Sequence, residues 1–393
     1  MNIIIFEYIK NGFLKPFSLN HCPFEIRIGA KTNLERIREI YPKSEIILIV
    51  DESKKEVIRE KFPNYTINPD NIPAGLCLNG AAIFKDEHKD ILESSKSLSN
   101  NKELISFKLS SQESFQNFKK QIEDNIQVTN ASDIDIVVNI WDIFKFSEEF
   151  IKHDFQSLIL NNNYSFNPSM IRINGEYIHI GLNSNIKAGV IIDASDGPVI
   201  IDDNVVVDHG TVIEGPCYIG ENTYISPNTL IRKNNTIGPM CKLGGEITCC
   251  NILGYSNKVH DGFLGHSFIG EWVNIGAGTN NSNLKNNYST VKIKFKDKIH
   301  DSELQFLGCL IGDYTRISIG TNINTGSYIG LAVNLFNHDF LNNYIPSFSW
   351  GDNELVKIDS LLNTIQKMKA RRTLKLSDIE KKMITDLYKK VTS

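Results

Sequence analysis

The sequence predicts a two-part fold, an α/β domain followed by a parallel β-helix with a helical tail, and three observations carry that expectation. The first is a six-residue register. From Ile201 onward every sixth residue is a branched aliphatic: Val207, Ile213, Ile219, Ile225, Ile231, Ile237 and Leu243. Helices repeat about every 3.6 residues and strands about every 2, so only stacked coils produce this spacing. The register is already present at Ile180, Ile186 and Ile192, and it returns at Ile269, Ile275, Ile311, Ile317, Ile323, Ile329 and Leu335. Glycine follows many of these positions, as in Ile219-Gly220 and Ile275-Gly276. Three hexads make one triangular coil of about 18 residues, with aliphatic side chains inside and small or polar residues at the corners.

The second observation is alternation in residues 1–160. Apolar strand candidates at 2–6, 45–50, 74–78 and 134–140 alternate with helical patterns at 33–40 and 54–62, as in an α/β domain with a largely parallel sheet. An Asn-rich stretch makes residues 161–176 a linker, and the hexads make 177–340 the rod, interrupted by an arm from about 280 to 308. The third observation is the tail, 341–393. It carries two amphipathic patterns, the second behind a Ser377/Glu380 capping box, which should pack on the rod end or a neighbouring subunit.

Composition narrows the function classes. A net charge of -4 and a pI near 6.2 offer no general nucleic-acid surface. No segment approaches a membrane span, and the opening MNIIIFEYIK has an apolar run too short for a signal peptide, so a cytoplasmic protein is expected. Seven cysteines without paired metal-ligand spacing read as reduced core thiols.

One place in the register is informative. Twenty-six residues separate Leu243 from Ile269, four hexads and two residues, and within them lies GYSNKVHDGFLGHS. The fold asks only for aliphatics there, so His, Lys and Asn suggest a site. His260, between Lys258 and Asp261 in the same break, is the candidate general base. Asn274, just before the Ile275-Gly276-Ala277-Gly278 turn, reads equally as a corner asparagine of a β-helix ladder. With an undisturbed 18-residue coil, His260 would stack near Lys242.

These motifs, with LKPFSLNHCPFEIRIG, VVNIWDIFKFSEEFIKHDF, KLGGE, GEWVNIGAGTNNSNLKNNY and NTGSYIG, resemble the bacterial bifunctional uridylyltransferase/glucosamine-1-phosphate acetyltransferase family. The variant found in the Bacteroidetes lineage is the nearest in pattern. The resemblance implies a nucleotidyltransferase-like first domain, a left-handed β-helix, a homotrimer and acetyl-CoA as donor. It implies His260 as base, Asn274 beside it and a backbone N–H of the Gly276-Ala277 turn as oxyanion donor. Arg232, Lys242, Tyr255, Lys258, Asn283 and Tyr288 are the implied contacts for an amino-sugar 1-phosphate. Gly276, Gly278, Thr321 and Asn322 are those for acetyl-CoA, with Arg371 and Arg372 for its phosphates. The family's sugar-contacting tyrosine is replaced here by Phe263, so that hydrogen bond to the sugar is either lost or supplied by another residue, Tyr255 or Tyr288.

In the first domain the same family holds a nucleoside triphosphate, UTP or dTTP, and Mg2+. This chain offers Arg27, Gly29 and Lys31 in place of a glycine-rich loop, then Asn79 and Gly80, and Ala81 where a metal-binding aspartate belongs. Asn139 fits the second metal position, and if transfer occurs Asp133 or Asp135 is expected to supply the missing charge. The expectation is an acetyl-CoA-dependent N-acetyltransferase acting on a hexosamine 1-phosphate, with weak or absent nucleotidyl transfer. The alternatives are a sugar nucleotidyltransferase with a trimerising rod, a non-catalytic sugar-nucleotide-binding scaffold, and a zinc-dependent β-helix hydratase needing three converging histidines.

Overall fold

The computed structural model describes residues 1–10, 12–100, 103–123, 130–158, 169–336, 343–351 and 354–392. Half of the expected linker, 161–168, lies outside them, and of the rest Ile171–Ile173 pairs with Ile191–Asp193 at the start of a rod wall. In the first domain, β1 (Asn2–Phe6) runs parallel to both β2 (Glu45–Ile49) and β3 (Gly75–Asn79) at the middle of a seven-stranded sheet. The sheet turns antiparallel beyond β3, where residues 103–109 pair with β3 and with 97–100. Both faces of β1 are buried: Ile3 and Ile5 pack with Leu34 and Ile37 of α1 (Asn33–Ile40), while Ile4 and Phe6 pack with Phe107 and Phe118. That is why β1 reads as a continuous apolar run. Thr32 and Glu35 cap α1 reciprocally.

The strand expected over 134–140 does not form. Only isolated bridges, Ala82 to Ile136 and Phe13 to Asn139, and a 3-10 turn at Ile140–Asp142 occur there. Ile134 and Ile136 belong to the core of the first domain, whereas Val137 and Ile140 belong to the core between that domain and the rod. The segment crosses from one core to the other, so its apolar residues serve packing and not a ladder.

The rod is a parallel β-helix with three walls of six, nine and ten strands, and its coils fit the left-handed hexapeptide type. Every aliphatic of the six-residue register lies in one continuous interior core, each no more than 5% exposed. Ile201, Ile219 and Ile237 stack directly, one regular coil apart. The third residue after an interior aliphatic turns the corner with a left-handed backbone: Asn204, Asn222, Asn228 and Asn234 do so, as do Gly210, Gly278 and Gly320. Asparagine and glycine tolerate that conformation best. Gly220, which directly follows an aliphatic, serves close approach instead; a Cβ there would meet the Gly238 carbonyl carbon at 2.8 Å.

The arm folds as an antiparallel hairpin, Lys292–Phe295 with Lys298–Asp301, whose inner side joins Phe13, Trp141 and Tyr328 in the core between domain and rod. Phe13 lies 5.1 Å from the Phe295 ring, edge to face. The helices of the tail, α2 (Ile358–Ala370) and α3 (Asp378–Thr392), cover Trp272, Tyr314, Leu331 and Phe348 on the later coils. The capping box is half made. Ser377 Oγ accepts from the Glu380 amide (3.0 Å), but the Glu380 carboxylate is drawn away to the Tyr314 hydroxyl (2.5 Å) and Lys369 (2.6 Å). Among the described residues no helix is long and apolar enough to cross a membrane.

Candidate active site

The break in the register shortens a coil. Lys242 pairs with Asn257 and Leu243 with Lys258, fifteen residues on, so the coil has lost half a hexad. Two expectations change. Lys242 does not lie beneath His260, because the 18-residue stacking rule fails in this coil. Lys258 does not point at a sugar phosphate, because it occupies the interior slot that Leu243 fills one coil earlier. It is 2% exposed, and its ammonium donates to the carbonyls of Gly244 (3.1 Å) and His260 (3.0 Å). Burial pushes its pKa down to about 8. Gly245, at φ +79°, makes the space; a Cβ there would sit 2.8 Å from the Lys258 nitrogen.

His260 stands exposed at the corner that Lys258 ties down, and among the described residues nothing hydrogen-bonds its ring. One coil on, the Gly276 amide donates to Ile317 (2.9 Å) and the Gly278 amide to the Asp261 carbonyl (3.2 Å). The Ala277 amide between them makes no hydrogen bond to any described residue. It is the one donor of this turn left to meet a ligand, a distinction that sequence alone did not make.

Asn274 projects from the outer face of the ten-stranded wall, in one column with Lys242, Asn257 and Arg316. Successive members stand about 4.8 Å apart. Arg316 was not foreseen. It directly neighbours Asn274 in space although the arm separates them in sequence, and only the count of interior aliphatics on either side of the arm gives the pairing. Its Nε is buried without an acceptor, burial lowers its pKa, and no described carboxylate pairs with it. Arg316, Arg371, Arg372, Asn257, Asn274 and Tyr255 line a cavity of about 250 Å³, with Tyr255 stacked on Trp272 (4.4 Å, 11°). Arg372 is lowered by burial and then by the charge of Arg371, and it donates to Asn257 Oδ1 (3.1 Å). Uncompensated guanidiniums beside an aromatic shelf suit phosphate groups.

Other named residues stand elsewhere. Arg232 is paired with Glu246 (2.7 Å) on the six-stranded wall. Asn283 donates to His266 Nδ1 (2.9 Å), and that ring stacks on Phe306 and is held neutral by burial, with its pKa near 4. Tyr288 is 67% exposed in the arm. Thr321 is buried with its hydroxyl turned to the Ser318 carbonyl (2.9 Å), so it offers no group outward, whereas Asn322 next to it is exposed and pairs with Asn280.

The named residues of the first domain are occupied by its packing. Arg27 lies against the Tyr218 ring and Glu35; the Gly29 amide donates to Thr236 (3.2 Å); Lys31 pairs with Glu39 (2.6 Å). All three make these contacts with the rod or with α1. Asn79 is fully buried, bridging the carbonyls of Tyr8 and Leu104 (both 2.8 Å) and accepting the Ala81 amide. Gly80 accepts from Asn33 (2.9 Å), and Asn139 Oδ1 accepts the Phe13 amide (3.1 Å). Asn79 and Asn139 therefore do not fit a magnesium site: both oxygens already serve the backbone, and Ala81 between them brings no charge.

Among the described residues one cluster has metal-ligand spacing, His21, Glu271 and Asp313, where the first domain meets the rod. Its charges compensate one another. Burial disfavours the imidazolium, but Asp313 (2.9 Å) and Glu25 outweigh that and hold His21 at about 10, while Lys61 sits on Glu25. The network latches the two halves together.

Comparison with known proteins matches both halves separately. Residues 3–163 match the family described as sugar nucleotidyl transferase, and 198–233 match the bacterial transferase hexapeptide repeat. A bifunctional sugar-1-phosphate nucleotidylyltransferase/acetyltransferase of Sulfurisphaera tokodaii is 36% identical over 77 residues, 20% of this chain and 19% of that protein. The match thus spans about a fifth of the relative's length. Among solved structures, the UDP-N-acetylglucosamine acyltransferase from Campylobacter jejuni is 13% identical, covering 56% of this chain and 94% of its own, with a TM-score of 0.27.

Proposed function

We propose that the rod is an acetyl-CoA-dependent N-acetyltransferase acting on a hexosamine 1-phosphate at the His260 corner. The observation that carries this reading is an exposed histidine whose ring no described residue hydrogen-bonds, followed one coil on by an Ala277 amide with no described acceptor, next to the Gly278 amide that donates to the Asp261 carbonyl. As the sugar nitrogen attacks the thioester carbon, His260 takes the nitrogen's proton and the Ala277 amide donates to the oxyanion. The C–S bond then breaks, leaving the amide and free CoA. Lys242, Arg316, Arg371 and Arg372 supply positive charge for the phosphates of the substrates. A homotrimer, with acetyl-CoA reaching a neighbouring subunit, completes the proposal.

The experiment is release of free CoA against a panel of amino-sugar 1-phosphates, wild type beside His260→Ala. Turnover of at least one of them, abolished in the variant, is expected; no turnover of any would remove the reading. The second reading, sugar nucleotidyl transfer by the first domain, is supported by the match over residues 3–163. UTP and dTTP are the nucleotides to test.

A further inference from the structure

The contact between the first domain and the rod holds a constellation that acetyl transfer at His260 does not use. His21 comes from the loop after β1, and Glu271 and Asp313 stand at matching positions on successive coils of the rod, in line with the pairing of Phe268 with Leu310. One ligand atom from each, a ring nitrogen and two carboxylate oxygens, lies within 4.8 Å of the others. His21 and Asp313 are buried, and Glu271 is half-buried.

Each ligand is held from behind. The His21 ring stacks on Phe17 (5.0 Å, 13°), its Nε2 meets Asp313 Oδ2 (2.9 Å) and its Nδ1 faces the Glu25 carboxylate (3.5 Å). A carboxylate behind one ring nitrogen is the arrangement that orients the other towards a metal. Asp313 Oδ1 accepts the Glu271 amide (2.9 Å), which leaves Oδ2 as the oxygen that faces the histidine. That oxygen also accepts from Asn20 Nδ2 (2.8 Å). The other end of the same amide, Asn20 Oδ1, is buried without a hydrogen-bond partner among the described residues, in a residue only 8% exposed. An unpaired buried acceptor is costly, and a half-turn of the amide would bring this one beside Asp313 Oδ2.

The charges match pair by pair, yet their sum does not close. Glu25, Glu271 and Asp313 face one ammonium, that of Lys61, which contacts Glu25 and lies 3.9 Å from Glu271. A proton on His21 offsets one of the two negative charges left over, whereas a divalent cation on the neutral ring offsets both. A cavity of about 590 Å³, lined by His21, Glu25, Lys61 and Glu271 among others, gives a path to the cluster.

We propose that His21, Glu271 and Asp313 bind one divalent first-row cation, with Asn20 Oδ1 as a fourth ligand, and that the ion staples the first domain to the rod. One imidazole nitrogen with oxygens and no thiolate suits Zn2+ or Mn2+. Bonds of about 2.0–2.2 Å to a tetrahedral ion hold its ligands about 3.3 Å apart, so the cluster closes slightly on binding. Four protein ligands leave no open position, and the ion's part is structural.

Titration of the full chain, stripped with EDTA and dialysed, with Mn2+ tests this by the loss of the free ion's paramagnetic resonance signal, with Zn2+ and Mg2+ as competitors. One ion per chain is expected, Zn2+ binding tighter than Mn2+ and Mg2+ weaker than both, in the order of their preference for nitrogen. Saturating Mn2+ should raise the melting temperature by about 3 °C or more. Glu271→Gln and His21→Gln should each weaken binding at least about tenfold and remove that rise. Glu246→Gln, at a carboxylate paired with Arg232 on the six-stranded wall, should bind as wild type. Glu271 is only half-buried, so its substitution reads the site even where His21→Gln does not fold. No binding at about 1 mM Mn2+, unchanged affinity in Glu271→Gln, or Mg2+ bound as tightly as Mn2+ overturns the proposal. None of these measurements depends on turnover, so failure of acetyl transfer at His260 leaves them intact.

Discussion

The rod and the first domain treat their polar residues in opposite ways. On the rod, interior aliphatics hold the coils, and a residue outside the register can stand free: His260, Asn274 and Arg316 are not needed by the fold. In the first domain the residues with nucleotide-site character are consumed by packing. Asn79 and Asn139 close backbone hydrogen bonds, and Arg27 and Gly29 hold the rod. Polar groups left over by a repeat are available to chemistry, whereas those inside a compact α/β core are already committed.

The largest test of this contrast is His260→Ala. It should slow acetyl transfer by roughly 10²–10⁴-fold and leave the thermal midpoint nearly unchanged, since the ring is exposed and no described residue hydrogen-bonds it. Equal, small effects from His260→Ala and His266→Ala would instead make His260 structural. His266 should show the converse behaviour, with a loss of stability, because its ring is packed between Asn283 and Phe306.

Lys258→Met should come next, with a fall in kcat of about 10- to 100-fold and KM within about threefold, because the buried lysine acts by holding the Gly244 and His260 carbonyls and not by meeting substrate. Its effect on stability has a defined pH dependence. The folded pKa, about 8, lies below the ordinary 10.5, so between those values the unfolded chain binds more protons and stability from this group rises with pH. The cost of the buried charge is therefore full below about pH 8 and fades towards pH 10.5. Methionine removes that cost, so any gain in melting temperature over wild type should be largest near pH 7 and shrink by pH 10. A gain that is flat with pH would show that Lys258 is not a charged lumen residue.

Much of the rod was legible because one six-residue rule governs both its spacing and its interior, and each aliphatic named from the sequence lies in that interior. The break was legible as a disturbance but not in its sense. A two-residue excess over four hexads concealed a shortened coil, and only the pairing of Leu243 with Lys258 shows that a lysine has taken an aliphatic slot. Arg316 was hidden by the inserted arm. In the first domain, the apolar run at 134–140 imitates a strand because it feeds two cores, and no local pattern separates the two cases.

Arg316→Met should raise KM for one of the transferase substrates about tenfold while leaving kcat within about threefold, the mark of a group that binds a phosphate and takes no part in bond making. Whichever substrate is affected identifies the phosphate that lies beside Asn274. Unchanged kinetics would restrict that cavity to a structural role.

The smallest expected effect lies in the first domain, and it sharpens the comparison from the other side. Magnesium-dependent release of pyrophosphate from UTP or dTTP, offered with an N-acetylated or free amino-sugar 1-phosphate, should be at or near background. Ala81→Asp, which puts back the carboxylate missing from the family pattern, should not raise it. Ala81 is 0% exposed and packed in the core of the domain, so an aspartate there is a buried charge without a partner and should lower the melting temperature. Asn139→Ala should cost only a little stability, because the Phe13 amide it accepts from also donates to the Val138 carbonyl (3.0 Å), and should not change activity. Robust release that Asn139→Ala abolishes at unchanged melting temperature would mean that the asparagine leaves the backbone to meet a metal. Polar groups in this domain would then be as free as those on the rod, with Asp133 or Asp135 supplying the charge. Asp135 is the better placed of the two, half-buried and with its pKa raised by burial and by Glu149, whereas Asp133 is exposed.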